Sequence, residues 1–395
     1  MKPTHRLLHF CRFAIVYVVL FLCASHVVTL DLLHSGFGEN TYGNRERDLS
    51  LVAMMDGTAP KPFVYRSSFP KAVKWVVEQL PEATRARLYR HIAEHDSLHD
   101  TYFKDLPDAA WTPVTAPVYR VAYFGVLLSA FLSLLIVYKM ARSFGLSFGR
   151  ALGFLVAFSF VYSLTFEVAG YYYDFIELLG VLSACYFTLK RRLVLATVSI
   201  ALFSLNKETF FLVPLALFFL LDRAMPLKTR LGWTGLQLAL CIATRLYIMH
   251  GYDANGGAFV EQHLWSNLRF WVNPMSYLKF HRLFAGNPTP GVQTPLVLIP
   301  LAVFFRAAWR RSPAAYRRYL LASALPLAPL FIFFGFEDEF RALALAFPAL
   351  VLIALHGATS FGEIFEPAPR PATRTSRDEA AHEAHPELEW EKASA

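Results

Sequence analysis

A small set of ionisable residues sits where long apolar runs begin or end, and their types suit one kind of chemistry. Asp31, Glu167 and Asp174 are carboxylates at such edges. A carboxylate there can act as general base on a sugar hydroxyl. Arg66, Lys207 and Arg341 are cations of similar placement. Oriented cations can neutralise a phosphate leaving group without covalent chemistry, and Arg adds a bidentate fork. Glu208 follows Lys207, Glu177 follows Asp174 by one helical step, and Glu337-Asp338-Glu339 precedes Arg341. The catalytic candidates are therefore Asp31, Glu167 and Asp174. The substrate-binding candidates are Arg66, Lys207, Glu208, Glu337 and Arg341. Plainer readings stand beside these. Glu337 and Arg341 can form a structural ion pair, Arg66 can be a surface turn charge, and Lys207 and Glu208 can snorkel to water.

The element that must position Lys207 and Glu208 is the stretch Leu193 to Leu221, apolar on both sides of Asn206-Lys207-Glu208-Thr209. A spanning helix needs about 20 apolar residues. Each arm is shorter than that, and the two together are too long for one span. Two helices meeting in a polar hairpin at the membrane surface is the expected form. A buried Lys and Glu at that depth mark a functional site by default, because they are costly unless paired or facing water.

The rest of the chain reads the same way. Of its residues 55% are hydrophobic and 17% charged, which defines a polytopic membrane protein. The net charge of +8 calls for no nucleic-acid partner, since most Lys and Arg form short clusters between apolar runs. Phe13 to Leu30 is an uncleaved first helix, with Cys23-Ala24-Ser25 a poor cleavage site. Residues 31–119 form a polar segment with amphipathic helices over Phe69–Leu80 and Pro81–His95, read as a small extracytoplasmic helical cap. Residues 120–357 form the bundle, with an outer loop over 250–293. Residues 358–395 form a tail too polar to bury a core, expected to be disordered and cytoplasmic. The four cysteines lie in or beside apolar runs without metal-ligand spacing and serve as small packing residues.

The expected fold is all-α, a transmembrane bundle of about ten spans with both termini inside. Alternate short loops carry several Lys or Arg, and the loops between them almost none. That alternation holds only if the Leu193–Leu221 stretch counts as two helices. It also places all the candidate site residues on one external face.

An acidic residue just after the first helix (Asp31), an extended outer loop and later outer-loop cations resemble the GT-C superfamily of polytopic glycosyltransferases. The resemblance implies a polyprenyl-phosphate sugar donor, Asp31 as catalytic base, and Arg66, Lys207 or Arg341 as holders of the lipid phosphate. Asp31-Leu32-Leu33 lacks the paired acidic residues of better-characterised members. It further implies a cell inner membrane, with membrane lipids and a lipid-linked sugar as partners. A divalent metal is compatible with that chemistry. A lipid-linked substrate transporter or flippase is the contrasting reading; against it, no internal repeat is evident and the broken span lies at one surface rather than at the midplane. A non-catalytic partner in envelope polysaccharide assembly is the third.

Two further features stand apart. His91, His95 and His99 recur at helical spacing beside Glu94, Asp96 and Asp100, a pattern that can bind metal but more often marks a solvated face. Between Phe259 and Leu283, Trp265, Phe270, Trp271, Tyr277 and Phe280 mix with Arg269, Lys279 and Arg282. That mixture suits a helix lying among lipid headgroups, as an anchor or as a guide for a lipid carrier.

Overall fold

The computed structural model describes residues 3–37, 48–95, 97–166, 170–258, 260–278, 280–284, 287–337 and 339–359. The tail expected to be disordered lies outside them from residue 360 onward. Among the described residues the named elements are helices apart from one short antiparallel hairpin, Phe280–Phe284 with Asn287–Pro290.

Helix α1 spans Pro3–Ser35. It outlasts the apolar run that announces it, because Leu32 continues the buried face beyond Leu30. Asp31 therefore lies inside the last turns of α1 rather than after the helix, which corrects the expected boundary. Four short helices follow: α2 (Leu51–Asp56), α3 (Ser68–Glu78), α4 (Glu82–Glu94) and α5 (Ser97–Tyr102). The Ser50 hydroxyl caps α2 by accepting from the Ala53 amide, and Gly57 ends it at φ 75°, the left-handed region open to glycine. Pro70, Val73 and Val77 form the buried stripe of α3, and α4 starts after Pro81. The two amphipathic helices stand within a residue or two of their expected bounds. This polar layer packs on the first turns of α6 (Thr115–Ser143) through an aromatic core. Phe37 and Phe103 lie 5.0 Å apart and Phe103 and Tyr119 4.8 Å apart by ring centroids.

Helix α7 spans Phe148–Ser163, and α8 spans Tyr172–Leu189. Buried on nearly every side, α8 is the central post, with α6, α9 (Leu193–Phe203) and the last helix around it. Gly180 permits that closeness: a Cβ there would fall 2.5 Å from Phe203 Cβ. After α9 the helix breaks at Ser204–Lys207, as expected. The chain resumes as a 3-10 turn over Glu208–Phe211, α10 (Leu212–Leu217) and a second 3-10 turn over Phe218–Leu220. Arg191 Nη2 lies 3.5 Å from Asp222 Oδ2, so the arms start and finish at the same level, as a hairpin must. The arms share α11 and otherwise differ in their main neighbour. Helix α9 packs on α8 and α11, whereas α10 packs on α11 and α14. The remaining helices are α11 (Leu227–His250), α12 (Leu264–Val272), α13 (Pro295–Arg311), α14 (Ala314–Phe334), a 3-10 segment Phe340–Ala346, and α15 (Phe347–Thr359).

Five described helices are long and apolar enough to cross a membrane: Phe10–Leu33, Thr115–Ser143, Leu227–His250, Ala314–Phe334 and Phe340–Thr359. The other apolar helices are shorter; α9, with 11 residues, is only about 17 Å long against a core of about 30 Å. Phe124, Leu128, Val156, Phe160, Val198, Leu202, Ile242, Leu246 and Leu325 point out of the bundle. So apolar an exterior is that of a membrane protein, solvated by lipid rather than water. Hydroxyls inside the helices are satisfied locally, as where Ser129 donates to Gly125 O and Ser133 to Ser129 O.

Candidate functional site

The first turn of α8 organises the charged cluster. Tyr171 precedes the helix, and its amide donates to Asp174 Oδ2 at 3.1 Å, which caps the helix start. The same oxygen takes Arg341 Nε at 2.8 Å, and Asp174 Oδ1 lies 3.9 Å from Lys207 Nζ. Asp174 thus joins three segments of chain. One helical turn on, Glu177 accepts from Lys207 Nζ at 2.5 Å, with Glu177 fully buried and Lys207 9% exposed. The break in the apolar stretch is held from inside: Asn206 Nδ2 donates to Tyr173 O at 2.8 Å. Lys207 has extended backbone (φ −149°, ψ 138°), which points it and Glu208 in opposite directions.

Glu208 accordingly turns away from Lys207 toward the polar layer. Arg66, at the end of the 3-10 turn Phe63–Arg66, meets it with Nη2 at 2.7 Å from Oε1 and Nε at 3.4 Å from Oε2. The Arg66 guanidinium lies 4.6 Å from the Tyr173 ring centroid, and Tyr172 Oη donates to Arg66 O at 2.5 Å. Burial works against the charge of Arg66, but Glu208, together with Tyr173 and Asp174, raises the Arg66 pKa well above its ordinary value. Arg341 closes the other side. It pairs with Glu339 as well as Asp174, and its guanidinium sits 5.5 Å from the Tyr171 ring. Tyr171 and Tyr173 stack at 4.9 Å between the two arginines.

Asp31 reaches the same neighbourhood from α1. It is fully buried, and a Cβ on Gly170 would fall 1.5 Å from its Oδ1. Only a residue without a side chain lets the backbone before α8 approach so closely. The Tyr162 hydroxyl lies within electrostatic reach of Asp31, Asp174, Glu177 and Arg341. Tyr162 Oη, Glu177 Oε1 and Arg341 Nη1 are buried without a hydrogen-bond partner among the described residues.

The structure thus gathers Asp31, Arg66, Asp174, Lys207, Glu208 and Arg341 at one end of the bundle. Glu167 lies outside the described residues. Glu337 is half-buried and makes no ion pair among the described residues; Glu339 takes the role foreseen for it. Asp174, one of the candidate bases, is the hub of the cluster, its two oxygens facing two cations and a helix start. The three histidines do not all converge: the His91 and His95 rings lie 5.5 Å apart, and His99 leaves them. Helix α4 ends at Glu94, and His99 turns onto Trp111 at 4.7 Å and bonds to Leu106 O. No group of three His, Cys, Asp or Glu able to hold a metal occurs among the described residues, so no metal-dependent step is derived.

Every cation of the cluster already faces a carboxylate, so an incoming anion must compete with Glu177, Glu208, Glu339 and Asp174. Arg341 Nη1 is a buried donor without a hydrogen-bond partner among the described residues. Residues that gained a role only from the fold are Gly170, Tyr162 and Asn206. Glu177 and Glu339 were visible in the sequence as neighbours of the site. No family model, no curated protein and no solved structure matches the chain.

Proposed function

We propose that the chain is a membrane glycosyltransferase that moves a sugar from a polyprenyl-phosphate donor to an acceptor, on the membrane face that carries the polar layer. The observation behind the reading is convergence: residues from α1, the polar layer, α8, the broken hairpin and the segment before α15 meet at one end. In this reading the bundle has ten spans, the polar layer is an extracytoplasmic cap, and both termini are cytoplasmic in a cell inner membrane. Asp31 takes the proton of the acceptor hydroxyl. The acceptor oxygen attacks the anomeric carbon, the bond from that carbon to the phosphate oxygen breaks, and the polyprenyl phosphate leaves with the electron pair. Arg341 supplies its unpartnered Nη1 to that phosphate, and Arg66 and Lys207 add charge. The Arg66–Glu208 pair, with side chains 12% and 27% exposed, is the wettest of the pairs and the one a substrate opens first.

Purification followed by mass spectrometry of bound lipid tests this directly. A retained polyprenyl phosphate supports the reading, and its sugar names the donor. Unchanged transfer by Asp31→Asn removes Asp31 as base.

One observation favours a second reading, a non-catalytic partner in envelope polysaccharide assembly. Asp31, Asp174 and Glu177 are sealed from solvent, and the cations are already paired. Structural networks hold charges in this way too. Absence of bound lipid together with capture of assembly proteins favours it.

A further inference from the structure

The short helix α12 divides its surface three ways. At about 100° per residue, Asn267, Phe270 and Trp271 share one side. Asn267 and Phe270 are buried there. Trp265, Leu268 and Val272 form a second stripe only about 60° wide, and it is exposed, Trp265 at 80% and Val272 at 78%. Ser266 and Arg269 form a third, polar flank beside that stripe. Met275, Leu278 and Phe280 carry the exposed apolar surface onward past the helix.

The inner side is firmly docked. Asn267 Nδ2 donates to Ile332 O at 2.7 Å and Gly335 O at 2.8 Å, closing the carboxyl end of α14. The His263 amide donates to Phe333 O at 2.8 Å. Helix α12 is therefore fixed across the end of a spanning helix whose own Leu325, Ile332, Phe333 and Phe334 face outward. The apolar stripe of α12 continues that lipid-facing surface around a corner. Water on such a stripe is costly, while protein on one side, lipid on the second and headgroups on the polar flank satisfy all three faces.

We infer that α12 lies in the plane of the membrane, in the leaflet nearest the polar layer, with Trp265, Leu268 and Val272 among the acyl chains and Arg269 at the headgroups. Its inner side touches Phe340 through Trp271, 5.7 Å between ring centroids, and Phe340 is the residue before Arg341. Trp271 and Phe340 therefore link the membrane-facing helix α12 to the charged cluster. The inference stands on this packing and not on the glycosyl-transfer reading.

Spin labels test it on the full chain in vesicles of phosphatidylcholine and phosphatidylglycerol. In a Cys11→Ser background, which removes the exposed thiol and leaves the buried ones, single labels are placed through Leu268→Cys, Val272→Cys, Arg269→Cys and Glu82→Cys. These side chains are exposed, so the labels leave the packing intact. Collision rates are measured with oxygen, which partitions into lipid, and with a nickel chelate, which stays in water. The expected result is a ratio of oxygen to nickel collisions severalfold higher at 268 and 272 than at 82, with 269 between. Equal ratios at 272 and 82 place the stripe in water and overturn the inference. Low rates of both reagents at 268 and 272 mean that protein covers the stripe, and overturn it as well.

Discussion

Removing the Lys207 ammonium should be among the most damaging single changes in the molecule, and its damage should be reversible by a second change. At 2.5 Å and an effective dielectric constant of about 20, the gross Lys207–Glu177 attraction is about 7 kcal/mol. Taking both groups out of water offsets most of that, at several kcal/mol per ion. The pair is therefore close to neutral against an apolar replacement, but half of it is not. Lys207→Met leaves Glu177 fully buried with one oxygen already lacking a partner, and costs about 3–5 kcal/mol. Asp174 is spared, since Arg341 at 2.8 Å keeps it compensated. Adding Glu177→Gln removes the stranded charge and recovers most of the loss, so the double-mutant cycle gives a large coupling energy. The assay is unfolding in detergent followed by circular dichroism, with both single variants and the double. A loss under about 1 kcal/mol for Lys207→Met, or a double variant no more stable than the single, refutes a buried, uncompensated Glu177. The restabilised double variant then separates the two functional readings. If it has lost bound lipid, Lys207 meets the substrate. If it keeps it, Lys207 serves only Glu177.

Gly170→Ala pushes a methyl group into the Asp31 carboxylate and should destabilise by about 1–3 kcal/mol; Asp31→Ala in the same chain should restore the thermal midpoint, and Asp31→Asn, which keeps the bulk, should not. Arg66→Lys gives up the two-pronged contact with Glu208 at the wetter rim and should cost about 1–2 kcal/mol, seen as faster hydrogen exchange over residues 60–68 with the bundle unchanged. Asn267→Leu strands the carbonyls that close α14 and should release α12, raising exchange over Leu264–Val272; unchanged exchange there sinks the docking argument.

Hydropathy and charge mark where an apolar segment is interrupted, and one such interruption is legible here. The break at Asn206–Thr209 lies between α9 and α10, and the first-turn carboxylates of α8 share its end of the bundle. What they cannot reveal is a partner. Glu177 is one helical step from Asp174, yet nothing in its own surroundings announces that it, and not the adjacent Glu208, receives Lys207. That choice depends on how α8 and the hairpin lie side by side, a distance of 30 residues along the chain. Asp31 was misplaced by a few residues because an apolar run and a helix end for different reasons: one where polar residues begin, the other where backbone bonds run out. Gly170 was illegible for the opposite reason, since its importance lies in atoms it does not have.

The separation of Lys207 from Glu208 also says what the broken hairpin is for. Had the two paired with each other, the tip would be a self-contained surface feature, indifferent to the rest of the fold. Instead one peptide's extended geometry sends Lys207 into α8 and Glu208 out to Arg66, so one dipeptide ties the bundle to the polar layer. The ties are unequal. The inner one is sealed and costly to break, whereas the outer one is partly wet and weaker. Any motion of the polar layer relative to the bundle should therefore part Arg66 from Glu208 while Lys207 stays on Glu177. Such a motion uncovers Tyr173, on which Arg66 rests, and with it the stacked tyrosines that lead to Arg341. An anion is the ligand best suited to take the place of Glu208 on Arg66, and beyond the stacked tyrosines lies Arg341 with its unpartnered Nη1.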